Sequence, residues 1–256
     1  MGFAMMQGWL AAPDAPVVHV VDPTPALVDR ANAAGAHAVA DIGDLPDDLA
    51  PDLVFLAVKP QVMADVAPTY ARFADQAAFV SVAAGTTIGA LMDYLGPAAI
   101  IRCMPNTPAA VGHGMMVCCG NMRVDAAARD LTLRLLATSG RTAWIADEAL
   151  MDAVTAISGS GPAYIFHFIE ALTAAGQALG LPDDLAADLA MQTVMGAGVY
   201  ADQSPTPPDD LRRQVTSPGG TTAAALEVLM AEDGLAPLLA RATRAARDRG
   251  KALGAG

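Results

Sequence analysis

The chain has 256 residues, of which 54% are apolar and 16% charged, and a formal net charge of −12. A chain of this length and composition can bury a substantial core, which excludes an intrinsically disordered protein and permits one large domain or two ordinary ones. The acidic charge, with no cluster of lysine and arginine before the C-terminal segment, argues against a nucleic-acid-binding protein.

The first half of the chain alternates short β-rich runs with helical stretches, a pattern typical of a parallel sheet covered by helices. From residue 3 to residue 145 we predict, in chain order, a helix at Phe3–Ala12, a strand at Val17–Val21, a helix at Pro25–Ala34, strands at His37–Ala40 and Leu53–Val58, a helix at Val62–Phe73, strands at Phe79–Val82, Ile100–Cys103 and Met115–Cys119, a helix at Asp125–Thr138 and a strand at Thr142–Ile145. The run Leu53–Val58 is apolar throughout, as expected for a strand buried on both faces. These elements predict an α/β domain over residues 1–146.

From Asp147 onward the pattern changes to long helical segments rich in Ala and Leu, with no convincing strand. The predicted helices of this part are Ala149–Ala156, Pro162–Leu179, Asp183–Asp202, Asp209–Val215, Thr221–Glu232 and Leu235–Leu253. Prolines between residues 205 and 208 break the chain before the fourth of them. We therefore predict a second, all-α domain over residues 147–256.

Signals for membranes, secretion and disulfides are missing from the sequence. The longest uncharged windows are interrupted by Gly, Pro, Ser, Thr or Asn, and no basic stretch followed by an apolar core opens the chain. The cysteines Cys103, Cys118 and Cys119 lack metal-ligand spacing, and a vicinal pair suits an ordinary disulfide poorly. We expect a cytoplasmic protein with reduced, buried thiols and with no metal, membrane or nucleic-acid partner.

Two segments place candidate ligand groups where predicted strands end. The run Ala57–Pro60 (AVKP) sets Lys59 at the carboxyl edge of the sheet, where open α/β folds bind ligands. A solvated lysine is the alternative. Asn106, between two prolines at another strand exit, could either fix a ligand or cap a turn.

Two glycine-containing segments begin predicted helices. Ser158–Tyr164 (SGSGPAY) permits close approach of its backbone to a ligand or simply to another helix. Ser217–Thr222 (SPGGTT) presents free backbone N–H groups and the positive end of a helix dipole, which favour an anion such as a carboxylate. An ordinary capped helix start remains the alternative for this segment.

In this order, these segments resemble pyrroline-5-carboxylate reductases along nearly the whole chain. The strongest match is Gln214–Leu229 (QVTSPGGTTAAALEVL), which is similar to the signature segment of that family. The resemblance implies a Rossmann-like nucleotide-binding domain, with its first strand missing, followed by an all-α substrate and dimerisation domain. It also implies NADPH or NADH as the cofactor and a homodimer, which in many members of the family assembles into a larger ring of dimers.

The resemblance also implies a reaction and roles for individual residues. Hydride would pass from the nicotinamide to the C=N carbon of 1-pyrroline-5-carboxylate, giving L-proline without a metal. The loop amides of Gly219, Gly220, Thr221 and Thr222 would hold the substrate carboxylate, the Thr222 hydroxyl would face the imine nitrogen, and Glu148 would lie near the substrate. The positions expected to line the cofactor are Met1, Gly2, Asp22, Thr24, Ala57, Val58, Lys59, Pro60, Ala83, Ala84, Gly85, Asn106 and Gln214.

Asp22 bears on the choice between the two coenzymes. It closes the strand Val17–Val21, where an acidic side chain can accept hydrogen bonds from the adenosine ribose and repel a 2′-phosphate. We therefore predict that NADH is preferred or at least competitive. The alternatives are that Asp22 only begins the Asp-Pro turn and that Thr24 hydrogen-bonds a phosphate.

The N-terminus departs from the family, which opens with a β-strand and a G-x-G-N-M-G motif. Only Met1 and Gly2 of that motif remain. A central strand contributes buried side chains worth about 6 to 12 kcal/mol, so we expect a native start roughly 10 to 15 residues upstream. Two other functions stay open: a related β-hydroxyacid or imine reductase, which would lack SPGGTT, and a non-catalytic nucleotide-binding or scaffold protein.

Overall fold

The computed structural model describes residues 1–254. They form two compact units, the first made of residues 1–160 with the C-terminal residues from Ala246, the second of residues 161–245. The first unit is α/β and the second is helical, which confirms the predicted fold class. The predicted domain boundary after residue 146 stays a prediction.

The strands all lie in the first unit and form two sheets. They are β1 (His19–Val21), β2 (His37–Val39), β3 (Leu53–Leu56), β4 (Ala78–Ser81), β5 (Ala99–Met104), β6 (Gly114–Gly120) and β7 (Gly140–Trp144). β1 pairs with β2, and β3 to β7 form a five-stranded sheet in chain order. The alternation of parallel strands and helices is that of the predicted Rossmann-like domain.

One strand pair departs from the predicted parallel sheet. β5 and β6 run antiparallel, while the other paired strands are parallel. The link between β5 and β6 contains only a 3₁₀ segment, Thr107–Val111. Parallel neighbours need a crossover of a dozen or more residues, so this short link returns the chain antiparallel.

The predicted full burial of Leu53–Val58 is wrong. The strand ends at Leu56, and only Leu56 is buried, whereas β4 is buried along its whole length. β4 has ladders with β3 and β5, but the other edge of β3 has no ladder among residues 1–254. Side chains beside that edge lack a neighbouring strand to cover them, and β1 is likewise only partly buried.

The helices are α1 (Gly2–Leu10), α2 (Pro25–Ala33), α3 (Met63–Val66), α4 (Ile88–Leu95), α5 (Ala126–Ala137), α6 (Met151–Val154), α7 (Gly161–Ala178), α8 (Asp183–Gln203), α9 (Pro208–Gln214), α10 (Thr221–Leu229) and α11 (Leu235–Gly254). The predicted continuous helix Val62–Phe73 is wrong, because α3 passes into a 3₁₀ segment, Ala67–Phe73. Pro68 has no N–H to donate within an α-helix, which accounts for the change. The predicted helix Ala149–Ala156 is likewise divided into 3₁₀, α and π segments.

The helix α4 was not among the predicted elements. Thr87 caps this helix by accepting a hydrogen bond from the Ala90 N–H at 3.1 Å, and Gly96 ends it with a φ of 74°. Its buried residues Ile88, Leu91 and Leu95 have helical spacing. α4 therefore supplies one wall of the core and follows directly on the predicted cofactor residues Ala83–Gly85.

The five-stranded sheet is covered on both faces. Phe79 and Ile100 belong to a core cluster with α4, whereas their neighbours Val80 and Ile101 belong to a second cluster with α1 and α5. Adjacent residues alternate between faces because side chains of a strand point to opposite sides. Burial of each such side chain contributes about 1.5 to 3 kcal/mol, so both layers hold the sheet that carries the site.

The second unit has little core of its own. Of its described residues only Ala186, Ala190 and Leu211 are buried, and α7 and α10 have no buried residue. Large apolar side chains are exposed along its helices, among them Ile165, Phe166, Phe168, Leu172, Leu189, Met191, Met195 and Val228. Apolar surface of this extent marks an interaction face.

Among the described residues, no helix combines the length and apolar character needed to cross a membrane.

Candidate active site

The edge where β3, β4 and β5 end brings predicted cofactor residues together. These strands are adjacent and parallel, so the segments that follow them lie at one edge of the sheet. The segments are Ala57–Pro60, Ala83–Gly85 and the stretch that contains Asn106. The structure thus groups three of the predicted segments at the position where open α/β folds bind ligands.

The N-terminus of α1 lies against this edge. A Cβ added to Gly2 would be 3.0 Å from the Cβ of Ala57, so the glycine permits close approach of the Ala57 side chain to the start of α1. Met1 provides no side-chain cap, and the first-turn N–H groups have no acceptor within the helix. A helix start with free N–H groups and a positive dipole end suits a phosphate, so these residues fit a dinucleotide.

Asp22 uses one carboxylate oxygen in a turn. Its Oδ1 accepts a hydrogen bond from the Thr24 N–H at 2.9 Å, and Thr24 begins α2 without a side-chain cap. The second oxygen of Asp22 has no hydrogen bond among the described residues. The Asp-Pro turn is therefore present, and one carboxylate oxygen remains for a ligand.

The loop from Ala83 to Thr87 joins β4 to α4. The Ala83 N–H donates to the Oγ of buried Ser81 at 3.3 Å, and Gly85 has a φ of 78°, which favours glycine. A Cβ on Gly85 would lie 3.6 Å from the Cβ of Leu253.

Lys59, in the segment that follows β3, is exposed and forms no side-chain hydrogen bond within residues 1–254.

The side chain of Asn106 forms hydrogen bonds with the protein backbone through both its amide nitrogen and its amide oxygen. Its Nδ2 donates to the Ser158 carbonyl at 3.1 Å, and its Oδ1 accepts from the Met115 N–H at 2.9 Å. Asn106 therefore has a structural role, but its side chain does not cap the turn that it begins. A contact with the cofactor stays a prediction, which the unused hydrogen of the amide nitrogen would allow.

Glu148 lies in a network that the sequence analysis did not find. Its Oε1 accepts hydrogen bonds from the Ile88 N–H at 2.8 Å and from the Arg102 guanidinium at 3.0 Å. The Arg102 side chain is 7% exposed and that of Glu148 30%. The arginine inside the apolar run IIRCM could have indicated this network, because a buried guanidinium needs a carboxylate partner.

The three cysteines are free and buried, as predicted. Burial raises the pKa of the Cys119 thiol to about 12; the Glu148 carboxylate adds to this rise and the Arg102 guanidinium opposes it. A hydrogen bond with Cys118, together with burial, holds the pKa of Cys103 well above its ordinary value.

We predict that these thiols resist modification in the native protein. At pH 8 a thiol with a pKa near 12 stays protonated, and the thiolate is the reactive form. Ellman's reagent should react with all three cysteines in denaturant but hardly at all without it. Rapid reaction of the native protein, or fewer than three thiols after unfolding without reductant, would contradict this.

In the second unit, Gly219 and Gly220 lead into α10. Gly219 has a φ of 70°, and the Gly220 N–H donates to the Ser217 carbonyl at 3.0 Å. The turn already uses the Gly220 N–H, and the predicted use of this amide for the substrate carboxylate stays a prediction. The amides of Thr221 and Thr222 open the helix with no side-chain cap, and Thr222 is exposed.

Two further polar side chains of the second unit have no hydrogen bond among the described residues. Gln214 ends α9, is exposed, and forms no side-chain hydrogen bond among the described residues. The Tyr164 hydroxyl, in the SGSGPAY segment, is buried without a hydrogen-bond partner in residues 1–254. The predicted roles of Gln214 and of the α10 start stay predictions.

Comparisons with known proteins agree on one group of enzymes. The profile of the family described as pyrroline-5-carboxylate reductase dimerisation matches residues 148–253. The pyrroline-5-carboxylate reductase of Pseudomonas aeruginosa is 40% identical over 249 residues, which are 96% of this chain and 91% of that protein.

Two solved structures extend the similarity to three dimensions. A pyrroline-5-carboxylate reductase from Coxiella burnetii has a TM-score of 0.92 and 33% identity, covering 98% of this chain and 94% of that one. The Plasmodium falciparum pyrroline carboxylate reductase with NADP bound has a TM-score of 0.83 and 29% identity, covering 99% and 94%.

Proposed function

The chain belongs to the pyrroline-5-carboxylate reductase family, and from this premise we propose how its residues carry out the reaction. It is an NAD(P)H-dependent oxidoreductase that reduces 1-pyrroline-5-carboxylate to L-proline, the last step of proline biosynthesis. The observation that carries the mechanism is the uncapped start of α10, where two threonines follow a Pro-Gly-Gly turn.

The substrate carboxylate is bound by the amides of Thr221 and Thr222. Both N–H groups lie at the positive end of the α10 dipole, and neither has an acceptor within the helix. Gly219 contributes its left-handed turn, and Gly220 contributes the N–H that closes this turn. Binding the carboxylate at a fixed point orients the ring and its C=N bond.

The Thr222 hydroxyl forms a hydrogen bond with the ring nitrogen, whose charge changes during reduction. A bound reduced nicotinamide would supply the hydride that the C=N carbon receives. Solvent water provides the proton for the nitrogen, since no side chain of this site is assigned as a general acid. Catalysis then consists of orientation and hydrogen bonding by groups that are already in place.

The cofactor is held by the first unit. The free N–H groups at Gly2 suit the pyrophosphate, and a side chain at Gly2 would fit only if Ala57 moved away from it. The segments Ala57–Pro60 and Ala83–Gly85, together with Asn106, would line the nicotinamide side. Asp22 and Thr24 would contact the adenosine ribose.

A single assay tests this function. Purified enzyme should oxidise NADH or NADPH in the presence of 1-pyrroline-5-carboxylate and form proline in equal amount, with little turnover of a panel of keto acids. Preference for a keto acid would favour a related reductase. Nucleotide binding without turnover of any of these compounds would favour a non-catalytic protein.

The helical unit is a dimerisation domain. Its exposed apolar side chains supply the surface that a second subunit covers. We propose that dimers assemble further into a ring, which light scattering would detect as a mass of several dimers. We also propose the cytoplasm as the location, which the free cysteines support because reducing compartments keep thiols unpaired.

We predict that NADH is used at least as well as NADPH. The free oxygen of Asp22 can accept from a ribose hydroxyl and would repel a 2′-phosphate. Asp22→Ser should therefore improve kcat/KM with NADPH relative to NADH by roughly 10-fold or more, from the loss of charged hydrogen bonds and repulsion. Asp130→Ser, which removes an exposed aspartate of α5, is the matched control. A wild-type kcat/KM for NADPH more than about tenfold above that for NADH would refute the prediction.

A further inference from the structure

Arg102 is the one charged residue among the buried polar residues of the described chain. It lies in the middle of β5, opposite Ser81 of β4 and Cys119 of β6. A guanidinium is retained in such a place only with a partner, because an unpaired buried charge is strongly destabilising. The proposed mechanism gives Arg102 no contact with substrate or cofactor.

The partner of Arg102 connects it to α4. The same Oε1 of Glu148 accepts from the Arg102 Nη1 and from the Ile88 N–H. Ile88 is the first residue of α4, so the carboxylate satisfies a free N–H and lies at the positive end of the helix dipole. Arg102 therefore holds the oxygen atom that, together with the Thr87 cap, fixes where α4 begins.

Both ends of the loop Ala83–Thr87 are tied to this pair. Before the loop, Ser81 pairs with Arg102 across the ladder and accepts the Ala83 N–H. After the loop, Ile88 is bonded to Glu148. Between them Gly85 adopts a left-handed conformation, and glycine loses more freedom than other residues when it is ordered. The loop shape thus depends on fixing its two ends.

We propose that Arg102 is a positioning residue for the cofactor, which acts through Glu148 on the loop Ala83–Thr87. This proposal rests on the proposed function, which assigns Ala83–Gly85 to the nicotinamide nucleotide. It also gives Glu148 a different role from the substrate contact predicted from the resemblance. The pair keeps the loop in the shape that binds the nucleotide, and neither side chain touches the reacting atoms.

The test compares Glu148→Gln with the wild type by titrating NADH binding without substrate, followed by steady-state kinetics at saturating NADH. Glutamine keeps an oxygen for the Ile88 N–H but removes the charge that holds Arg102. The Kd for NADH should rise roughly 5- to 20-fold, the loss expected for a weakened charged hydrogen bond, while the KM for 1-pyrroline-5-carboxylate changes less than about threefold.

Two further variants make the result specific. Arg102→Lys keeps the positive charge but not the planar fork of donors, so it should weaken NADH binding in the same selective way and by less. This variant also decides the question if Glu148→Gln fails to fold. Asp125→Asn is the matched control, because Asp125 caps α5 through the Ala128 N–H and its replacement makes the same charge change. Its Kd for NADH should equal that of the wild type.

Each other outcome overturns the proposal in a recognisable way. An unchanged Kd with a tenfold higher KM for 1-pyrroline-5-carboxylate would make Glu148 a substrate contact and leave the proposed function standing. Unchanged binding and kinetics with a lower Tm would leave the pair a purely structural role. A wild type that binds NADH but does not form proline would refute the proposed function, while the Kd comparison would still decide the role of Arg102.

Discussion

Phe168→Asp is expected to separate the dimer and to abolish measurable activity. Phe168 lies on α7 with Ile165 and Leu172 at helical spacing, and all three apolar side chains are more than a third exposed. Lost burial of one phenylalanine costs about 1.5 to 3 kcal/mol. A symmetric dimer carries the change in both subunits, so the loss of at least about 3 to 6 kcal/mol weakens association roughly 10²- to 10⁴-fold.

Activity should disappear with the dimer because α10, which carries Thr222, has no buried residue in the single chain. We therefore expect the position of α10 to depend on contacts with a second subunit. Sedimentation velocity over a range of protein concentrations, with proline formation measured on the same samples, checks the prediction. Met122→Asp introduces the same charge at a fully exposed apolar residue of the first unit and should change neither measurement. A Phe168→Asp enzyme that stays dimeric and active at nanomolar concentration would place the interface elsewhere.

Thr222→Ala should lower kcat/KM by roughly 10- to 100-fold, or about 1.4 to 2.7 kcal/mol, as expected for one lost hydrogen bond to the reacting substrate. The Thr222 side chain is exposed and has no hydrogen bond among the described residues, so its removal should leave the Tm unchanged. The Kd for NADH should also stay within error, because Thr222 is proposed to contact the substrate and not the cofactor.

Two variants give this prediction its controls. Thr222→Ser keeps a hydroxyl and should recover most of the activity. Thr69→Ala makes the same change at an exposed threonine of the first unit and should behave as the wild type. Full activity of Thr222→Ala would show that the backbone amides at the start of α10, which are proposed to bind the substrate carboxylate, are sufficient without this hydroxyl.

Local patterns were enough to predict much of the fold. The apolar runs around Phe79, Ile100 and Val117 appear as β4, β5 and β6, and the Ala-rich segments appear as α7, α8 and α11. A strand or a long helix can be recognised from the spacing of its own apolar residues, because this spacing follows the period of its backbone. The SPGGTT segment was likewise predicted as a helix start, whereas the φ of 70° at Gly219 and the missing side-chain cap of α10 came from the structure.

Contacts between distant residues settled the rest. The direction of β6 depended on the short link after β5. The hydrogen bonds of the Glu148 carboxylate depended on Arg102 and Ile88, which lie 46 and 60 positions away in the chain. Likewise Asn106 was recognised as a polar residue at a strand end, but only the folded chain brought the Ser158 carbonyl and the Met115 N–H to it. A residue's type defines which hydrogen bonds it is able to make, whereas its partners are chosen by packing among many possible donors and acceptors.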